Sequence, residues 1–152
     1  VEADFSEAEE LAGALVGIQR LIRRRLRGGL AGPRLGGAEV ELLRLVEARP
    51  GIGVSDAARE LYLAGNSVST LVNRLVRDGH LLRETDPADR RAARLLLTAD
   101  AEKRLADWRR RRAELVARHV AQLGEDDRAA LGAALPALRK LAVTLHEEAG
   151  EP

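Results

Sequence analysis

Cysteine is absent from the 152-residue chain. That absence excludes disulfides, cysteine-ligated zinc and thiol-based redox sensing. Methionine is absent too, even at position 1, so the chain reads as trimmed or alternatively initiated. Aromatic residues amount to 2%, namely Phe5, Tyr62 and Trp108. Leu, Val and Ala must therefore fill any core, a composition that favours packed helices. Lysine is scarce, with only Lys103 and Lys140 beside many arginines, a usage typical of a GC-rich genome. No apolar run approaches the ~18 residues that a membrane-spanning helix needs, and no signal peptide is visible. A cytoplasmic location is the default expectation.

What is present is enough for a folded domain. Hydrophobic residues make up 45%, well above the composition of a disordered chain. The length suits one domain, or one domain with a helical extension. The net charge of +1 decides nothing, but its distribution is informative. Arg20, Arg23, Arg24, Arg25, Arg27 and Arg34 fall between Ile18 and Arg34 with no acid among them. Acids outnumber bases from Gly124 to the end. A local basic surplus suits a face that meets a polyanion, and equally a solvated helical face.

Catalytic chemistry finds no support. There is no Ser/His/Asp or Cys/His arrangement, so no catalytic residue is assigned. "GGLAGPRLGG" is glycine-rich but follows a helix and lacks the lysine and strand context of a phosphate-cradling loop. His80, His119 and His146 lie far apart in sequence, which argues against a metal site. No cofactor is implied.

Periodicity predicts a mainly helical fold with a small hairpin. Ser6 caps a first helix carrying Leu11, Leu15, Ile18, Ile22 and Leu26, which should stop near Gly28 and Gly29. A second helix begins around Ala38 and ends at "ARPGIG". A short helix runs from Ser55, its N-cap, to Tyr62. Asn66 caps the next, which runs to about Asp78 with an apolar stripe of Val68, Leu71, Val72, Leu75 and Val76. Gly79 stops it. Strands follow at Leu81–Glu84 and Ala92–Leu97. Thr98 caps a long helix to about Leu123, and a last helix spans Glu125–Glu148 with a kink expected at Pro136.

The order helix, tight turn, helix, strand, loop, strand is a helix-turn-helix followed by a hairpin. The outer face of the second helix is Ser67, Ser69, Thr70, Asn73, Arg74 and Arg77, with no acid. Such side chains pair with base edges and phosphates, whereas a merely solvated helix more often shows Glu and Lys. The hairpin tip, "TDPADRR", offers Arg90 and Arg91 to a minor groove. Asp86 and Asp89 would be repelled by phosphate. Their expected role is to bond turn amides and hold an arginine extended. An ordinary charged hairpin tip is the plain alternative when the tip is taken alone.

"NSVSTLVNRLVRDGHLLRETDPADRRAARLLLT" resembles the recognition helix and wing of the multiple antibiotic resistance regulator (MarR) family. Asp86, Asp89, Arg91 and the closing "LLLT" match that family's wing pattern. "RPGIGVSDAARELYLAG" matches the first helix of the motif. "LGGAEVELLRLV" resembles the preceding helix, with Gly37 where the family usually has Thr or Ser. The resemblance implies a winged helix-turn-helix over residues 36–98, with dimerisation helices in 1–35 and 99–152. It implies a homodimer on double-stranded DNA, repressing a pseudopalindromic operator. The long apolar stripes from Leu11 to Leu26 and from Ala101 to Leu145 are consistent with a partner.

Family members often bind a small molecule between the dimerisation helices and the DNA-binding lobe. Tyr62 and Trp108 are the candidate cleft residues, although core or dimer-interface packing is the better reading of both. His119 reads as a packed or interface histidine. The rival to DNA binding is a winged helix used for protein–protein contact, since fold does not fix function.

Overall fold

The computed structural model describes residues 5–27 and 34–149. Their order is α1 (Phe5–Leu26), α2 (Gly37–Ala48), α3 (Val54–Glu60), α4 (Gly65–Arg77), β1 (Leu81–Thr85), β2 (Ala93–Leu97), α5 (Ala99–Val120) and α6 (Glu125–Ala149). The expected stop at Gly28 and Gly29 lies outside the described residues. No described helix is long and apolar enough to cross a membrane.

A single apolar core sits in the middle of the chain. Leu42, Leu43 and Val46 of α2 meet Val68, Val72 and Leu75 of α4, with Ala57 of α3 and Leu81 and Leu95 of the hairpin. Each of these side chains is almost wholly removed from water, worth roughly 1.5–3 kcal/mol per Leu or Val. Leu105 of α5 closes the same cluster. The amphipathic stripe of α4 thus does what its spacing predicts, except at Val76, which is 38% exposed.

The two strands pair antiparallel from Leu81 opposite Leu97 to Thr85 opposite Ala93. The segment after α2, read from sequence only as a helix breaker, forms a third edge. Gly51 N–H donates to Leu95 O at 2.8 Å, Leu95 N–H donates to Ile52 O at 3.0 Å, and Gly53 bridges Arg94.

Helix ends follow the expected chemistry in part. Thr98 caps α5, its hydroxyl accepting from Ala101 N–H at 3.2 Å. Gly79 ends α4 with φ of +79°. There His80 N–H donates to Leu75 O at 2.8 Å and Gly79 N–H to Val76 O at 3.1 Å, the double closure of a Schellman motif. Ser55, Asn66 and Ser6 are not N-caps. Gly53 and Ala64 hold the extended cap backbone of α3 and α4, and Ser6 lies inside α1. Asn66 still satisfies a first-turn amide, its Oδ1 accepting from Ser67 N–H at 2.8 Å. α6 continues past Pro136 as one helix.

The outer helices are unlike the core. No residue of α1 is buried, and none of α6 with a described side chain is either. Leu11, Leu15, Ile18 and Leu21 of α1 are 41% to 56% exposed, and Leu131, Leu135, Val143 and Leu145 of α6 are 47% to 59% exposed. α1 leans on α5. α6 touches the central lobe at its far end, where Tyr62 Oη donates to His146 O at 2.9 Å.

Candidate nucleic-acid interface

The geometry begins with α4. Burial of Val68, Val72 and Leu75 fixes its rotation. At 100° per residue, the opposite face must carry Thr70, Asn73, Arg74 and Arg77. All are exposed, as is Ser67. Ser69 is not part of that face. It shares the flank of Val72 and Val76 at i, i+3 and i+7, and it is half-buried.

Several of these side chains are held from the protein side. Arg83 of β1 donates from Nη2 to Asn73 Oδ1 at 2.8 Å, tying the hairpin to α4. Glu39 of α2 accepts from Arg74 Nη1 at 3.1 Å. Thr70 Oγ1 donates back to Asn66 O at 3.0 Å. Nothing in the local sequence marks Arg83 or Glu39 as part of this arrangement. Partners 10 and 35 positions away leave no local pattern.

The hairpin tip is built as its aspartates suggest. Asp86 Oδ1 accepts from Ala88 N–H and Asp89 Oδ1 accepts from Arg91 N–H, each at 2.9 Å. Backbone bonds from Asp86 N–H to Ala92 O and from Ala92 N–H to Asp89 O complete the turn. Arg90 and Arg91 are exposed. The expected grip of a carboxylate on an arginine side chain is not seen; the aspartates are occupied with amides instead. α4 and the tip together present hydroxyls, an amide and guanidiniums, with the Asp86 and Asp89 carboxylates turned to amides of the tip.

A cavity of about 400 Å³ lies where α1, α2 and α5 approach one another. Leu26, Leu35, Val40, Leu105 and Trp108 give it apolar walls, and Arg23, Arg27, Arg34 and Arg104 give it charge. Among the described residues, no carboxylate lines it. Trp108 is half-buried, with the Arg44 and Arg112 guanidinium carbons 4.7 Å and 4.6 Å from its ring centroid. Burial first, and the nearby Arg112 second, lower the Arg44 pKa below its ordinary value. Tyr62 is elsewhere. It occupies the turn between α3 and α4 at φ of +53°, against His146. The two candidate cleft residues are therefore not brought together. His119 is exposed on the single chain. Among the described residues, no group of three or more metal-ligating side chains gathers.

Comparison with known proteins locates this architecture. Residues 35–92 match the model of the MarR family. No curated protein matches the chain in sequence. A provisionally assigned transcriptional regulator from Pseudomonas aeruginosa is 26% identical, with a TM-score of 0.79 over 93% of this chain and 97% of that one. FabT of Streptococcus pneumoniae, solved in complex with DNA, is 22% identical, with a TM-score of 0.72 over 93% and 99%. A MarR family protein from Bacillus stearothermophilus is 18% identical, with a TM-score of 0.75 over 93% and 99%.

Proposed function

We propose that the chain is a MarR-family protein and a homodimeric, sequence-specific DNA-binding regulator of transcription: residues 35–92 match that family's model, and 93% of the chain follows the fold of a transcriptional regulator. One observation carries the reading. The exposed face of α4 holds Ser67, Thr70, Asn73, Arg74 and Arg77 with no acid, beside a wing tipped by exposed Arg90 and Arg91. In the major groove, Arg74 and Arg77 would read guanine edges, Asn73 an adenine edge, and the hydroxyls phosphates. Arg90 and Arg91 would enter the neighbouring minor groove.

The unburied apolar faces of α1 and α6 support dimerisation, because stripes of that length are rarely left to water. We assign residues 1–35 and 99–152 to the dimerisation region and 36–98 to the DNA-binding region. Two recognition helices about 34–36 Å apart would then read a short pseudopalindrome. Repression by occupying a promoter is the expected action. The cavity beside Trp108 suits an effector with an apolar body and an anionic group, whose binding would release the DNA.

Gel-shift titration against the duplex that the protein enriches from a random-sequence pool tests the reading. Arg74→Ala and Arg91→Ala should each weaken binding by about 1–3 kcal/mol. Affinity should fall steeply with salt as counterions are released. Parental affinity in both variants would overturn the groove assignment, and a flat salt response would favour a protein-contact role.

A further inference from the structure

Glu39 is the one buried carboxylate among the described residues, 6% exposed. It stands in the first turn of α2 and serves two partners. Oε2 accepts from Gly36 N–H at 2.8 Å, and Oε1 accepts from Arg74 Nη1 at 3.1 Å. The Arg74 side chain is itself 53% exposed. One edge of its guanidinium is thus anchored inside the protein while the rest faces solvent on the α4 surface.

The arrangement has a direction. A buried carboxylate stripped of its cationic partner is strongly disfavoured. Arg74 therefore stays on Glu39 when a duplex arrives and presents its remaining N–H donors from a fixed position. An arginine side chain carries large rotamer freedom. Here much of that freedom is already lost on folding, so binding loses less. We propose that Glu39 is a positioning residue that fixes Arg74 for base readout and sharpens sequence discrimination without touching DNA. This rests on reading the α4 face as the DNA contact.

Glu39→Gln separates this role from helix capping. A first-turn Gln can accept the Gly36 N–H as Glu does, because the capping box tolerates either residue. Only the charged grip on Arg74 is removed. In gel-shift titrations, Glu39→Gln should weaken the pool-enriched duplex about 5- to 30-fold. Poly(dI-dC) should bind as before or slightly tighter, because a negative charge near the phosphates has gone. In an Arg74→Ala background the same substitution should no longer weaken the enriched duplex, and any small gain from the lost negative charge should appear on both duplexes alike. Arg74→Lys, which leaves α2 untouched, should narrow the gap between the two duplexes while keeping the salt slope, since Lys cannot offer the planar fork.

Equal weakening on both duplexes, or a full effect in the Arg74→Ala background, would reduce Glu39 to a structural residue. If Arg74→Ala weakens the enriched duplex while Glu39→Gln and Arg74→Lys leave discrimination intact, the positioning role alone fails. If Arg74→Ala is silent, the groove assignment fails and the positioning role with it.

Discussion

Gly79 offers a clean test of how the recognition helix is joined to the wing. Its backbone sits at φ of +79°, and a Cβ built there would meet nothing within 4 Å. A Gly79→Ala change therefore adds no clash and isolates the conformational cost. An L-residue in the left-handed region costs about 1–2 kcal/mol. The stiffer unfolded chain returns roughly 0.4–1 kcal/mol. The net loss should be near ~1 kcal/mol, or about 2–4 °C in Tm for a chain of this size. Gly79→Asn should cost less, because Asn tolerates this conformation. Gly51 is the contrast. Its φ is +86°, and a Cβ there would lie 2.6 Å from Arg94 Nη2. Gly51→Ala should exceed Gly79→Ala, and Arg94→Ala should remove the excess, since the obstacle is the far end of a flexible side chain. Urea unfolding at fixed protein concentration gives the numbers, with concentration held because self-association shifts apparent stability. A Gly79→Ala protein as stable as the parent, or an Asn variant as costly as Ala, would refute the reasoning.

Other consequences are equally direct. If α6 forms part of the proposed dimer interface, Leu135→Glu together with Leu145→Glu on its unburied face should give a folded monomer in sedimentation where the parent sediments as a dimer; a parent that is itself monomeric would overturn the dimer, and an unchanged mass would exclude α6 from the interface. Leu75→Ala removes a fully buried side chain of α4 and should cost about 2–5 kcal/mol in chemical denaturation, whereas a loss under ~1 kcal/mol would mean the core refills the gap. Asp89→Ala deletes the acceptor for Arg91 N–H and should weaken the enriched duplex less than Arg91→Ala does; the reverse order would make the turn more important than the guanidinium.

Much of this architecture is written locally. The stripe of Val68, Leu71, Val72 and Leu75 predicts both α4 and its buried side. Thr98 and Gly79 mark their boundaries because a hydroxyl and a missing Cβ each act within a few residues. The N-caps at Gly53 and Ala64 leave no such mark. Their backbones are extended without a capping side chain, so Ser55 and Asn66 place each expected cap two residues too far along the chain. The third edge at Gly51–Gly53 is too short to show alternation. Arg83 and Glu39 support that face through partners distant in sequence, so only the folded backbone brings them to Asn73 and Arg74. Only residue type links Tyr62 to Trp108 in the sequence, and packing separates them.

The chain has a single tryptophan, and that indole stands at the wall of the arginine-lined cavity. Its ultraviolet emission therefore originates from one place, where two guanidiniums lie over the ring. A molecule settling in the cavity must alter the polarity around that fluorophore. The protein carries an unlabelled optical gauge of occupancy, so a compound library can be screened by quenching or wavelength shift alone, before any operator is known.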